Sequence, residues 1–302
     1  MTKLLFALTS ALALMVGAAA WGKGSERPGA HCDLPAGWAD VAVLKPRFVV
    51  FGELHGTNEG PKFVGSLACA LAVKHKRVLV AIEHNSSNNA QLQAAWNSDK
   101  FEEKLAGLEF AGKSDGRGSS ALYDMTVGLH RLKEGGLRIS LVAFNGFKDE
   151  QQKAHFSDLH GQGPHEAAQA ENIASASTSQ TYDYVLVLVG SFHAMKTAIS
   201  RNGNDFDPMA RRLSQYGKLV SLSMRYADGS SWNCLLKPGV DRTSGPISVK
   251  DLDCGSHPTN GEPELAEKPF IGLEKSDKPD RELPYDGFFW VGPISASPPK
   301  LP

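Results

Sequence analysis

The sequence lacks the features that mark several protein classes. Its 302 residues carry 32 Lys and Arg against 33 Asp and Glu, so neither charge is in excess and no basic stripe is present. This balance argues against nucleic acid as a partner, because surfaces that bind nucleic acid are strongly basic. Aromatic residues are few (8%), and no Cys/His spacing typical of structural zinc occurs. The remaining composition is that of a globular protein long enough to bury its own core.

Long apolar runs are also scarce, and the one that stands out lies at the start of the chain. Lys3 precedes the apolar segment Leu4–Val16, and Ala18–Ala20 then forms an A-x-A cleavage pattern. The run is shorter than the roughly 20 residues that a membrane helix needs. It therefore predicts a secretory signal peptide over residues 1–20. We expect an exported protein, periplasmic or secreted, with no membrane span in the mature chain.

Cysteine is limited to four residues, but the count is even. In an exported chain an even count favours disulfides, and three pairings are possible. Cys234–Cys254 would close a loop rich in Gly, Pro and Ser, and Cys32–Cys69 would then tie the N-terminal segment to the first helix. The alternative for Cys69, which stands among apolar residues, is a free buried thiol.

What the sequence does contain is a regular alternation of strand and helix patterns. Apolar runs predict strands at Arg47–Phe51, Arg77–Glu83, Leu137–Phe144, Tyr184–Val189 and Lys218–Arg225. Helical patterns lie at Gly60–His75, Asn89–Asn97, Phe101–Ala106, Ala121–Glu134, Glu166–Thr178, Ala194–Ser200 and Pro208–Tyr216. The alternation predicts one α/β domain, with a largely parallel central sheet flanked by helices and a site at the carboxyl ends of the strands.

The two ends of this domain show weaker patterns. We expect residues 21–45 to be an irregular lead-in and the single α/β domain to span residues 46–302. From about residue 228 to residue 302 the chain should be loop-rich because Pro, Gly, Asp and Lys are frequent. Within it, Trp232–Leu236 and Phe288–Val291 are predicted to add edge strands to the sheet.

Two of the predicted strands end in the same tetrad, Gly-x-x-His. The first tetrad is Gly52–His55 and the second is Gly190–His193. Because sites in open α/β sheets form beyond the carboxyl ends of the strands, we expect the tetrads to meet in one polar site. Glu83 ends another apolar strand, where burying a lone carboxylate is costly, so we expect it at the same site.

These residue types suit hydrolysis. We expect His55 to act as general base on water, with Glu53 or Glu83 orienting it. His193 would stabilise the developing oxyanion, assisted by backbone N–H groups at two helix N-termini. Glu59 would complete the polar shell. The alternative is a divalent metal ion held by His55, His193, Glu53 and Glu83, with one position left for water.

Other polar residues near these motifs are weaker candidates. Lys196, Asp115 and Arg117 are predicted to bind substrate, the last two from a Gly-rich loop. Ser191 does not stand in a G-x-S-x-G elbow, so we do not expect a serine nucleophile. Six further histidines are expected at the surface: His75, His130, His155, His160, His165 and His257.

Together these motifs resemble one superfamily, the erythromycin esterase-like, Tiki-like and ChaN-like haem-uptake proteins, over roughly residues 47–226. The resemblance is carried by Gly52-Glu53-x-His55-Gly56-Thr57-x-Glu59, by Glu83, and by Gly190-x-x-His193-Ala194. The segment Gln169–Ile173 is also similar to a helix motif of the esterase branch.

The branches of this superfamily imply different functions. Esterase-like members hydrolyse esters with a His-activated water, Tiki-like members are metal-dependent proteases, and ChaN-like members bind haem. The continuation Thr57–Glu59 is of the esterase-like form, and the paired histidines of the haem branch are lacking. The resemblance therefore implies hydrolysis of an ester or amide in a small molecule or peptide. Haem or metal binding is the alternative, and a non-catalytic interaction module, in which these residues need not converge, is a third.

Overall fold

The structure is a computed structural model that describes residues 32–108, 118–201, 203–240, 247–276 and 282–300. The predicted signal peptide, residues 1–20, lies outside the described residues. So do Asp115 and Arg117, the two candidate substrate-binding residues of the Gly-rich loop. Their predicted roles therefore stay predictions.

A seven-stranded sheet forms the centre of the fold. In chain order the strands of the described residues are β1 (Phe48–Glu53), β2 (Val78–Asn85), β3 (Ile139–Asn145), β4 (Tyr184–Gly190), β5 (Ile199–Arg201), β6 (Asn204–Phe206), β7 (Leu219–Ala227), β8 (Gly229–Leu236), β9 (Leu252–Thr259), β10 (Phe270–Leu273) and β11 (Gly287–Pro293). The order across the sheet is β10-β11-β7-β1-β4-β2-β3, and only β10 runs antiparallel to its neighbour. This confirms the predicted α/β domain with a largely parallel sheet.

Helices cover both faces of the sheet. They are α1 (Trp38–Val43), α2 (Glu59–Val73), α3 (Asn89–Trp96), α4 (Phe101–Ala106), α5 (Ser120–Glu134), α6 (Glu150–His155), α7 (Gly163–Ala176) and α8 (Met209–Leu213). None of the helices in the described ranges has the length and apolar character needed to cross a membrane.

The strands are apolar throughout because the core lies on both sides of them. Val49 and Phe51 of β1 belong to the cluster that contains α2 and α5, whereas Phe48 and Val50 belong to the cluster that contains α7 and α8. All four side chains are fully buried. Alternate residues of a strand point to opposite faces, so burial on both faces requires a continuous apolar run rather than an alternating one.

The helix predicted at Ala194–Ser200 is absent, and the prediction was wrong. The N–H groups of Ala194 and Lys196 donate to Ser191 O and Pro284 O, so they do not enter an i→i−4 ladder. The chain instead turns and enters the short antiparallel hairpin of β5 and β6. Two short helices were not predicted. One is α6, which the Asp149 side chain caps, and the other is α1, which lies in the segment predicted to be irregular.

The C-terminal part is more ordered than predicted. The segment Trp232–Leu236 lies in β8, which pairs with β9 in a separate hairpin and does not extend the central sheet. The segment Phe288–Val291 lies in β11, which does join the sheet, but β10 covers it and forms the edge. These strands contain Gly and Pro, which weaken the local strand pattern, and β11 joins β7 from far along the chain, a pairing that local patterns do not reveal.

Both disulfides that the sequence favoured are present. Cys234 and Cys254 face each other in the β8–β9 hairpin and are bonded. Cys32 is bonded to Cys69 of α2, so Cys69 is not a free thiol. The second bridge ties the chain ahead of α1 to a helix of the core.

Candidate functional site

The sheet order brings the two Gly-x-x-His tetrads side by side. Strands β1 and β4 are parallel neighbours, with Gly52 opposite Val189 and Glu53 opposite Gly190. Strand β2 lies on the other side of β4, so the Glu83 carboxylate reaches across and accepts the Gly190 N–H at 2.8 Å. The carboxyl ends of three adjacent strands therefore supply the candidate site.

The glycine of each tetrad makes room for the other tetrad. A Cβ atom on Gly190 would lie 2.7 Å from Nε2 of His55. A Cβ atom on Gly52 would lie 2.7 Å from Cβ of Ala194 and 3.0 Å from Cα of Ser191. Such distances are shorter than carbon atoms tolerate without displacement. The shared spacing of the two tetrads thus reflects mutual packing across β1 and β4.

Gly190→Ala is expected to weaken any reaction that uses His55 by about 10- to 100-fold, because the new methyl group must push that ring out of position. The fold should persist, since the atom displaced is the end of a side chain. Gly128→Ala is the matched control: nothing lies within 4 Å of its added Cβ in α5, and removing a helical glycine adds about 0.5–1 kcal/mol of stability. Kinetics and urea unfolding of both variants check this, and an active Gly190→Ala protein would contradict it.

Carboxylates and imidazoles alternate in one array at the site. Glu53 Oε1 lies 2.9 Å from Nδ1 of His55, and Glu83 Oε2 lies 3.3 Å from Nε2 of the same ring. The other oxygen of Glu83 is 3.9 Å from Nε2 of His193. Glu166 completes the array, with its two oxygens 2.7 and 2.9 Å from Nδ1 of His193. The predicted residues His55, His193, Glu53 and Glu83 do converge, which the interaction-module reading does not require.

Glu166 is the site residue that the sequence reasoning missed. It is fully buried at the start of α7 and also accepts the Met209 N–H at 2.8 Å. A signal was present: Glu166, Gln169 and Asn172 recur every third residue on an alanine-rich helix, and all three are buried. A polar stripe of this kind usually faces water, so only the fold shows that it faces inward.

The motif at Gln169–Ile173, which is similar to a helix motif of the esterase branch, lies on the same helix as Glu166. Gln169 donates to the Asn145 side chain at 3.0 Å, and Asn172 donates to the backbone oxygens of Phe144 and Gly146. These bonds tie α7 to the carboxyl end of β3. The motif thereby fixes the helix that carries Glu166.

Burial and the neighbouring charges shift the pKa values of the array in a consistent pattern. Burial alone would lower the pKa of His55, but the charge of Glu83 and the bonds to both carboxylates raise it to about 10. Burial would raise the pKa of Glu83, but the charge and hydrogen bond of His55 lower it to about 2. Burial opposes protonation of His193 too, yet the Glu166 hydrogen bond raises its pKa. Burial also raises the pKa of Glu53.

Glu59 and Lys196, two candidate residues at the edge of the site, contact the C-terminal segment (residues 282–300) instead. Glu59 accepts the N–H and the hydroxyl of Ser295 at 2.9 and 2.7 Å. Lys196 donates to Asp286 at 2.6 Å, and Asp286 also accepts the Ser221 N–H. Both residues therefore anchor the C-terminal segment beside the site, a role that the sequence did not suggest.

Two histidines predicted at the surface are placed differently. The ring of His165 lies 6.0 Å from the ring of His193 and its Nε2 is 2.7 Å from the Gln169 amide. His130 is buried and stacks on Phe101 at 4.1 Å. Both lie on amphipathic helices, where a single polar residue does not reveal which face it occupies.

Three of the backbone donors expected to stabilise an oxyanion at the second tetrad are already used. The Gly190 N–H donates to Glu83, the Ser191 N–H to Glu53 O, and the His193 N–H to Gly190 O. No helix begins at this point, as described above. These three N–H groups are therefore not available to a charge that develops here.

A cavity of about 590 Å³ opens beside His193. Its eight lining residues include the rings of Phe147, His165, Phe192 and His193 and the guanidinium of Arg201. This volume falls in the range of small-molecule sites. The second tetrad therefore faces a space large enough for a substrate group.

The donor types of the array suit a divalent metal, but the arrangement does not. Glu53 and Glu83 contact opposite nitrogens of the His55 ring, so Glu53 lies away from the edge that faces Glu83 and His193. Across the ranges that the structure describes, no group of three or more His, Cys, Asp or Glu side chains is placed to hold a metal ion. Glu53 and Glu166 are placed to orient the two rings through Nδ1.

Comparisons with known proteins agree with this architecture. No protein-family model and no curated protein matches the sequence. A solved erythromycin esterase mutant in its open conformation is 13% identical, with a TM-score of 0.58 over 87% of this chain and 95% of that one. A succinoglycan biosynthesis protein gives 0.56 at 11% identity over 86% and 92%. A Bacillus cereus protein gives 0.51 at 8% identity over the same shares.

Identities this low establish the fold and leave the activity to be argued from the site. The order of the motifs and the parallel sheet agree with the resemblance stated from the sequence. The chain has the fold of the solved erythromycin esterase.

Proposed function

We propose that this protein is an exported hydrolase that uses water to cleave an ester or amide in a small molecule or peptide. The observation that carries the proposal is the alternating array of Glu53, His55, Glu83, His193 and Glu166. Each imidazole has a carboxylate at Nδ1, which fixes its orientation, and the two rings share Glu83 at their other nitrogens. Export is supported by the two disulfides, which persist in oxidising compartments.

Within this proposal the contacts favour His193 as the general base. Glu166 accepts Nδ1–H, so the neutral ring carries its lone pair on Nε2. That nitrogen is 3.9 Å from Glu83, beyond hydrogen-bonding distance, and the ring lines the cavity. The sequence predicts the base role for His55, but both nitrogens of that ring face carboxylates.

His55 is better suited to stabilise negative charge, and because both ring nitrogens face carboxylates it acts through its positive charge rather than through a free N–H donor. Its pKa of about 10 keeps the ring protonated at neutral pH. Three of the four backbone N–H groups of the second tetrad are bonded elsewhere, so a cationic side chain supplements the backbone in stabilising an oxyanion. The roles predicted from the sequence are thereby exchanged between the two histidines.

The proposed step is a direct attack by water. His193 Nε2 removes a proton as the water oxygen bonds to the carbonyl carbon, and the carbonyl oxygen becomes an oxyanion near protonated His55. The tetrahedral intermediate then expels the alkoxide or amine, which takes the proton held by His193. The products are a carboxylic acid and an alcohol or amine, and both side chains return to their starting states.

The pH profile of kcat/KM should be bell-shaped and centred above neutrality. Activity rises as His193 loses its proton, at a pH above 6.5 because its pKa is raised. Activity falls near pH 10, where His55 loses the proton that stabilises the oxyanion. Initial rates on one ester across pH 5 to about 11 check this. A single rising limb with its midpoint near 10 would instead identify His55 as the base.

The proposal is tested by a hydrolysis screen on purified mature protein. Carboxylic esters, lactones and peptides are offered to the wild type and to His193→Ala, and metal content is measured on the same preparation. Turnover that His193→Ala lacks supports the proposal, and a chelator that abolishes it would add a metal to the mechanism. No turnover, together with a shifted Soret band on haem titration, would favour the haem-binding alternative.

A further inference from the structure

We propose that the cavity beside His193 binds a part of the substrate, next to the bond to be cleaved, that is aromatic or apolar and ends in a carboxylate. Arg201 is the residue that recognises this negative charge. The inference deepens the proposed function, and rests on it only in assigning the cavity to the substrate.

The position of the cavity ties it to the reacting atoms. His193 lines it, and the adjacent Phe192 ring lies edge-on to His193 with centroids 5.6 Å apart. A group held in the cavity therefore sits directly beside the proposed base. Such placement converts binding energy into orientation of the bond to be cleaved.

The rings give the cavity an apolar body. Phe147 and Phe192 are both half-buried, so each presents part of its ring to the cavity. Phe206 supports Phe192 from behind, with ring centroids 5.8 Å apart. An aromatic or aliphatic substrate group would bury this exposed ring surface, which is the usual source of affinity in small-molecule sites.

The charged side chains that line the cavity carry only positive charge. None of the eight lining residues carries a carboxylate, whereas Arg201 contributes a permanent positive charge. Its guanidinium lies 5.7 Å from the centre of the Phe192 ring. Over the described part of the chain Arg201 forms no ion pair, so its fork of donors is available to a ligand. A carboxylate is the group that such a fork binds with two hydrogen bonds.

Phenylacetate and its neutral isostere phenylacetamide test this inference without any need for turnover. Calorimetry or NMR on the whole protein measures their affinities for the wild type, for Arg201→Gln, and for Arg131→Gln as the matched control. Arg131 is exposed on α5 and pairs with Glu102 outside the cavity. We expect phenylacetate to bind the wild type and Arg131→Gln alike, and Arg201→Gln about tenfold more weakly. Phenylacetamide should not distinguish the three.

Several results would overturn the inference. One is no binding of phenylacetate to the wild type at ten millimolar, and another is equal binding to the wild type and Arg201→Gln. A third is equal affinity of the wild type for the acid and the amide. The proposed function fails separately, when no ester or amide is hydrolysed although phenylacetate binds through Arg201.

Discussion

Glu166→Gln is expected to lower kcat/KM by about 10²- to 10⁴-fold, the range lost when a buried partner no longer holds a catalytic imidazole in its active tautomer. Glu166 accepts two N–H donors, one from Nδ1 of His193 and one from Met209. Glutamine has one carbonyl oxygen for these two donors. If that oxygen takes the Met209 N–H, the amide NH₂ faces Nδ1 and forces the ring proton onto Nε2. The ring then has no lone pair where water must be deprotonated.

The same substitution at Glu171 is the control. Glu171 lies on the same helix, is partly exposed and pairs with Lys148 at 3.1 Å. Glu171→Gln should keep wild-type kinetics. Nitrogen NMR of labelled histidine, recorded at a pH where the His193 ring is neutral, should show its proton on Nδ1 in the wild type and on Nε2 in Glu166→Gln. Activity of Glu166→Gln within a few-fold of wild type would remove Glu166 from the site.

Glu83→Gln should lower kcat/KM by about 10²- to 10³-fold, because it removes the charge that keeps His55 protonated. Glu83 is buried, and its carboxylate is the largest influence that raises the pKa of His55 to about 10. Without it, burial pulls that pKa down, and the ring loses its charge nearer neutrality. The alkaline limb of the pH profile should therefore move to lower pH in this variant. A variant with an unchanged alkaline limb would show that Glu83 does not set the charge of His55.

His55 and Glu83 should also make the free energy of unfolding depend on pH. The pKa of His55 is raised from 6.5 to about 10 on folding, so its contribution is full below pH 6.5 and is lost as the pH rises to about 10. The pKa of Glu83 is lowered from 4.5 to about 2, so its contribution is lost as the pH falls through that interval. Urea unfolding of Glu83→Gln should show a smaller loss of unfolding free energy between pH 6.5 and 10 than the wild type shows. Glu134→Gln, which alters an exposed carboxylate 3.7 Å from His130, should match the wild type.

The part of the fold that the sequence predicted is the part built from local patterns. The five parallel strands β1, β2, β3, β4 and β7 are long apolar runs buried on both faces, and each was located to within a few residues. Strands β9 and β10 were missed because β9 contains Gly, Pro and polar residues and β10 is only four residues long with a central Gly. The helix expected after the second tetrad failed for a different reason. Its first N–H groups form turns with residues three positions earlier, and the Lys196 N–H donates to Pro284 O, a distant partner that no local pattern reveals.

The same distinction applies to the site. His55, His193, Glu53 and Glu83 could be predicted because each follows an apolar strand, and parallel strands end at one edge of a sheet. Glu166 could not, because it belongs to a helix and reaches the site only through the packing of α7 against the end of β3. The roles of the two histidines also depend on which nitrogen meets which carboxylate. Those contacts depend on the three-dimensional packing and cannot be read from spacing along the chain.

The measurement that tests the central claim most directly is single-turnover hydrolysis of an ester in ¹⁸O-labelled water, with enzyme in excess. Direct attack by a water activated at His193 predicts one ¹⁸O atom in the acid product of the first turnover, formed at least 100-fold more slowly by His193→Ala. An unlabelled acid in the first turnover would show that an enzyme carboxylate, and not water, supplies the new oxygen of the acid, which would contradict the account. An equal rate with His193→Ala would likewise contradict the account.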